Sequence, residues 1–78
     1  MAARNVIELR EKLGLTQEEL AQALGLYGRG AVYRWEAGKR EPDEPIRRLV
    51  LYLNELSKAE ATRVLKRFSE YGARKTHK

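Results

Sequence analysis

Thr16 to Gly38 reads TQEELAQALGLYGRGAVYRWEAG, and these 23 residues decide the fold. Thr16-Gln17-Glu18-Glu19 is a capping box: the threonine hydroxyl is set to accept from the third helical N–H while Glu19 reaches back to the threonine N–H. Leu20, Ala21 and Leu24 follow at helical spacing. Gly25 with Leu26 then supplies a stop in which the glycine turns left-handed and the leucine folds back on the helix. The helix so bounded has only about two turns, too few to persist alone because nucleation is costly, so it must lean on its neighbours. Tyr27-Gly28-Arg29-Gly30 is the turn that follows, and either Gly28 or Gly30 is placed to be the N-cap of the next helix. From Ala31 the pattern puts Val32, Trp35 and Glu36 on one face and Gly30, Tyr33, Arg34 and Ala37 on the other, with Gly38 as the stop. Trp35 and Val32 therefore read as core rather than as a stacking platform. Glu18 and Glu19 read as cap and surface rather than as a catalytic pair.

On the N-terminal side, residues 3–13 place Val6, Leu9 and Leu13 at helical steps with Ile7 and Arg10, an amphipathic helix ended by Gly14 and Leu15. On the C-terminal side, Lys39-Arg40-Glu41-Pro42-Asp43-Glu44-Pro45 is a charged linker whose prolines forbid a continuous helix. Asp43 or Glu44 caps a fourth helix with Pro45 in its first turn, where a missing N–H does no harm. Ile46, Leu49, Val50, Leu53 and Leu56 form its apolar face, and Tyr52 and especially Leu51 fall outside it. Ser57-Lys58-Ala59-Glu60 is a second capping box, so a fifth helix starts there, striped by Ala61, Val64, Leu65 and Phe68 with Tyr71 at the margin. The expected division is one domain over residues 1–71 and a basic disordered tail over 72–78.

Two helices this short, joined by a glycine turn, form the helix-turn-helix arrangement, whose second helix lies in the DNA major groove. Charge agrees with a polyanionic partner: the net charge is +5 with a pI near 9.8. Residues 1–28 carry three basic and four acidic residues (−1), 29–48 six and four (+2), 49–71 four and three (+1), and 72–78 three and none (+3). The excess begins at Arg29.

Other chemistries find no footing. The chain has no cysteine and a single histidine, His77, which lacks neighbours to share a metal with. Gly25, Gly28 and Gly30 follow no strand and precede no Gly-Lys-Ser/Thr, so they are not a nucleotide loop. Ser57 is explained by its cap, and Ser69 has no base near it in sequence. No apolar run of about 20 residues and no leader pattern is present. The expectations are no enzymatic activity, no cofactor, no metal, no membrane, no small-molecule ligand and a cytoplasmic location. A chain of 78 residues buries only about 60% of its unfolded surface, so a second copy is the expected source of further burial.

LREKLGLTQEELAQALGL followed by AVYRWEAGKREP resembles the phage-repressor and Cro-like helix-turn-helix family, also called the XRE family. The resemblance covers residues 4–56 and is carried by LGLTQEELA at 13–21, the hydrophobic-x-x-hydrophobic-Glu-x-Gly run at 32–38, and KREP. It implies an all-α, five-helix bundle with the third helix as reader. By position it implies a phosphate contact for Gln17, base reading for Arg29, Gly30, Tyr33 and Arg34, and a phosphate grip for Lys39 and Arg40. It also implies that Glu36 pairs structurally with Arg10. One departure stands out: the segment from Leu26 to Glu36 is one residue longer than usual, and Gly30 offers no side chain to a base. Direct reading therefore shifts to Arg29 and Arg34, whose guanidinium forks fit the O6 and N7 acceptors of guanine.

The function expected is sequence-specific binding to double-stranded DNA by a transcription regulator, a repressor that occupies its operator as a homodimer. Leu51, Tyr52 and Phe68 are the expected dimer contacts. Alternatives are an antitoxin or phage-encoded autoregulator, with a toxin or other protein as partner, and a protein-binding transcription adaptor.

Overall fold

The computed structural model describes residues 3–75, with side chains described for 3–71. Five helices follow in order, α1 Ala3–Leu13, α2 Gln17–Ala23, α3 Gly30–Glu36, α4 Glu44–Asn54 and α5 Lys58–Lys75, with no strand among the described residues. The stops of α1 and α2 and the starts of α2 and α5 are those the sequence encodes. Leu15 N–H reaches Arg10 C=O at 3.1 Å and Gly14 N–H reaches Glu11 C=O at 3.1 Å, closing α1 with a paired glycine stop. Leu26 N–H to Ala21 C=O at 2.8 Å and Gly25 N–H to Gln22 C=O at 3.0 Å close α2 in the same way. Thr16 and Glu19 make both bonds of the first capping box, at 3.1 and 2.9 Å. Ser57 and Glu60 make the second, at 3.2 and 3.3 Å.

The start of α3 settles between the two glycines. Its N-cap is Arg29 rather than Gly28 or Gly30, with no side-chain capping bond, and Tyr33 N–H makes the first helical bond to Arg29 C=O at 2.8 Å. Gly28, at φ +62, is the residue that reverses the chain, a conformation that costs a side chain with a Cβ. The turn having been made there, Arg29 is already helical in φ and ψ, and Gly30 is the first residue of α3 proper. At α4, Asp43 rather than Glu44 is the N-cap.

All five helices feed one core: Val6 and Leu9 from α1, Leu20 and Ala21 from α2, Val32 and Trp35 from α3, Val50 and Leu53 from α4, and Ala61 and Leu65 from α5. α1 lies at the centre of this packing, against α3, α4 and α5, while α2 bridges α3 and α5. A latch invisible to hydrophobic patterning holds α1 to the end of α4. Lys12 Nζ donates to the carbonyls of Asn54 (3.1 Å) and Leu56 (2.8 Å), and Asn54 Nδ2 donates to Asn5 C=O at 3.0 Å. On the first turn of α4, hydrogen bonds from Arg47 and Arg48 hold the exposed Glu44 carboxyl down at about 2, which accounts for both arginines as local surface pairs.

Two expectations about α5 are corrected. Phe68 is not on the buried stripe but 41% exposed, and Tyr71 is 58% exposed, because the helix outruns its neighbours: no described residue beyond Leu65 is buried. The helix also runs through Gly72 to Lys75 instead of ending before Gly72. Gly72 is followed by alanine, not by the leucine that folds back after Gly14 and Gly25, and a lone glycine costs a helix only about 1 kcal/mol. Residues 76–78 of the expected tail, His77 among them, lie outside the described residues.

Candidate nucleic-acid interface

Burying Val32 and Trp35 fixes which way α3 faces. The opposite side carries Gly30, Tyr33, Arg34 and Ala37, with Arg29 at its N-terminal end. Tyr33 is 43% exposed on this face. The Arg29 guanidinium lies over its ring, 5.6 Å from the centroid, and Lys39 Nζ lies 5.9 Å from it. Contacts of this kind at exposed sites are worth about 0.5–1 kcal/mol each. Arg34 leans back along α3 towards Gly30, where a Cβ added to the glycine would lie 3.4 Å from the Arg34 Nη1 atom. Gly30 itself offers no side chain on this face, and the Arg34 guanidinium lies beside its backbone. After α3 the chain doubles back, with Lys39 N–H on Arg34 C=O at 2.9 Å and Arg40 N–H on the same carbonyl at 3.3 Å, so both basic residues stay beside the helix.

Behind this face stands a polar relay. Glu36, its side chain only 8% exposed, accepts a two-pronged bond from Arg10, Nε to Oε2 at 2.6 Å and Nη2 to Oε1 at 3.1 Å. Arg10 Nη1 also donates to Leu15 C=O at 3.1 Å, joining the α1 stop to α3. Burial pushes the Glu36 carboxyl up, but the hydrogen bonds from Arg10 and Gln17 and the arginine charge outweigh it, leaving the carboxyl below its usual range. The hydrogen bond to Glu36 in turn holds the Arg10 guanidinium more firmly protonated.

Gln17 extends the relay to the surface. Its Nε2 donates to Glu36 Oε1 at 2.9 Å, which turns its carbonyl oxygen outward, where it accepts from Arg29 Nη1 at 3.4 Å. Arg10, Glu36, Gln17, Arg29 and Tyr33 therefore form one connected series from α1 to the outer face of α3. Sequence reasoning misses the link from Gln17 to Arg29, since 12 positions separate the two. A glutamine at the head of α2 and an arginine at the head of α3 are its only signal there.

This linkage makes a specific prediction about Gln17. If it acts by steadying Arg29, Gln17→Ala should weaken binding to a selected duplex about threefold to tenfold in the native background and leave it unchanged beside Arg29→Ala. A direct phosphate contact would instead cost the same in both backgrounds and on non-specific DNA. Fluorescence titrations of the four proteins separate the two.

Leu51 is half-buried, Tyr52 is 52% exposed and Phe68 is 41% exposed, all on α4 and α5 rather than on the reading face. Among the described residues there is no acidic or histidine grouping that would hold a metal ion, and no helix long and apolar enough to cross a membrane.

The geometry is that of two short helices packed together, the second turning a basic, aromatic face outward. The helix-turn-helix family profile matches residues 6–46, which spans α1 to the start of α4 and more than half of the chain. The chain belongs to the XRE-type helix-turn-helix family. Membership brings double-stranded DNA binding and a role in transcription regulation. Among curated proteins the Type II methyltransferase M.SsoII of Shigella sonnei is 48% identical over 42 residues, 51% of this chain. The match spans only 11% of that much longer protein, so the likeness concerns a short segment of it. No solved structure gives a significant match.

Proposed function

We propose that this helix-turn-helix protein represses transcription by occupying an operator as a homodimer, with α3 of each copy in the major groove. The observation that supports this best is the outer face of α3, where Arg29, Tyr33 and Arg34 surround the bare backbone of Gly30. In this reading Arg29 and Arg34 pair with guanines, Gly30 allows close approach, and Tyr33 meets base edges. Lys39 and Arg40 grip phosphate beyond the end of α3. Gln17 steadies Arg29 from the head of α2, in place of the phosphate contact that the resemblance implies. The reaction is occupancy rather than catalysis, and its regulation comes from concentration or from partners.

Phosphate contacts dominate such affinity and release counterions, so binding should weaken by roughly an order of magnitude or more between 50 and 200 mM salt. Fluorescence anisotropy on a labelled duplex measures this. Affinity that stays flat over that range counts against the mechanism.

Leu51, Tyr52 and Phe68 supply the surface for the second copy, since α5 carries aromatic groups past the core that a lone chain leaves wet. A symmetric dimer would set its two reading helices about 34–36 Å apart, one turn of DNA. Sedimentation should show a dimer on operator DNA that Tyr52→Glu with Phe68→Glu converts to monomer without unfolding it. A monomer both free and on DNA would dispose of the arrangement.

A further inference from the structure

We propose that Tyr33 reads the C5-methyl group of a pyrimidine on the 5′ side of a guanine held by Arg29, the methyl being that of thymine or of 5-methylcytosine. The proposal rests on the assignment of α3 to the major groove and names the chemical group that this site recognises there. Three features point to it. Tyr33 presents a large ring, 43% exposed, the one aromatic group on a face shared with Arg29, Gly30, Arg34 and Ala37. The guanidinium of Arg29 lies over this ring, 5.6 Å from its centroid, so the two side chains sit side by side. Arg29 in turn donates to Gln17 at 3.4 Å, and Gln17 to the largely buried Glu36 at 2.9 Å, which places the two beside the α1–α3 ion pair.

Base-pair edges in the major groove are lined with hydrogen-bond donors and acceptors, and the one apolar group they offer is a methyl at pyrimidine C5. It is the feature of the groove floor against which an aromatic ring can bury surface, while the tyrosine hydroxyl at the ring tip stays free for water or phosphate. Arg29 fixes which methyl this is. A guanidinium that takes O6 and N7 of guanine lies in the plane of that base pair. The right-handed twist of the duplex then brings the C5 position of the 5′ neighbour over the flat face of the guanidinium, beside the Tyr33 ring. A hydrogen at C5 leaves a gap there, and a methyl fills it.

The full chain is titrated onto duplexes bearing the sequence it selects from a random pool, in two pairs that each differ only in the C5 methyl of the pyrimidine 5′ to the contacted guanine: thymine and deoxyuridine opposite adenine, and 5-methylcytosine and cytosine opposite guanine. Removing the methyl should weaken binding about fourfold within each pair, the worth of one buried methyl. A difference confined to one pair names that base as the source. Tyr33→Ala should abolish the methyl effect and Tyr33→Phe should retain it, both with unchanged helical content. Equal binding within both pairs, or a methyl effect that survives Tyr33→Ala, overturns the proposal and leaves the major-groove assignment standing. Absence of sequence-selective binding to every duplex overturns that assignment and the proposal with it.

Discussion

Arg29→Ala combined with Arg34→Ala should cost this protein its sequence selectivity, with affinity for a selected duplex falling about a hundredfold or more. Each guanidinium fork on a guanine is worth roughly 1–3 kcal/mol of discrimination, and the double substitution removes both forks. Both side chains are exposed and neither belongs to the core, so the thermal melt should move little, within about 0.5 kcal/mol per surface substitution. Loss of binding without loss of fold is the signature of a reading face. A doubly substituted protein that binds as tightly and as selectively as the parent would move the DNA-binding surface elsewhere. If the parent shows no DNA selectivity at all, a protein-binding adaptor becomes the better account.

The second large effect is on stability. Glu36→Ala should destabilise the fold by about 3 kcal/mol, because it leaves the Arg10 guanidinium, itself only 22% exposed, with Leu15 C=O as its remaining partner. In a domain of this size that corresponds to a fall in Tm of roughly 4–8 °C for each kcal/mol. Replacing both members with apolar residues of similar volume, Arg10→Met with Glu36→Leu, should recover most of the loss, since the cost lies in the stranded charge rather than in the absent pair. DNA selectivity should not recover with it, because Gln17 then has no acceptor to orient its amide.

The same pair sets a pH dependence. The folded-state carboxyl of Glu36 lies below its unfolded value of 4.5, so its contribution is present above pH 4.5 and is lost as the pH falls through the lower folded value. Stability measured by denaturant titration should therefore decline on acidification below about pH 4.5, and less steeply in Glu36→Gln. A decline of equal slope in the two proteins would show that other carboxylates govern it.

Much of this architecture is legible in the chain. Thr16 with Glu19 and Ser57 with Glu60 mark two helix starts because a capping box satisfies backbone groups locally, and local bonding leaves a local signature. Gly14-Leu15 and Gly25-Leu26 mark two stops for the same reason. The inward turn of Val32 and Trp35 follows from their spacing, and with it the outward turn of Tyr33 and Arg34. What is illegible is what tertiary packing decides. No periodicity tells that α5 outlasts the helices packed against it, leaving Phe68 and Tyr71 wet. Nor does any local pattern tell that Lys12 reaches across 42 and 44 positions to two carbonyls at the end of α4. The start of α3 is ambiguous in the sequence because two glycines compete for one role, and the left-handed conformation goes to Gly28.

The relay through Gln17 belongs to the same class. Its members lie on α1, α2 and α3, and only the packing of those helices brings Glu36 within bonding distance of both Arg10 and Gln17. The consequence we propose is functional: the nearly buried ion pair, through Gln17, narrows the rotamers open to the exposed Arg29. Preorganisation of this kind raises selectivity by lowering the ordering cost at the moment of binding.

The central claim is that the outer face of α3 reads a defined DNA sequence, and selection from a random duplex pool tests it most directly. The native protein should enrich a motif with guanines at the contacted positions, in two inverted half-sites whose centres are about 10–10.5 base pairs apart. The same selection with Arg29→Ala and Arg34→Ala should return an unenriched pool. A native protein that enriches nothing, or a substituted protein that enriches the same motif, would contradict the account.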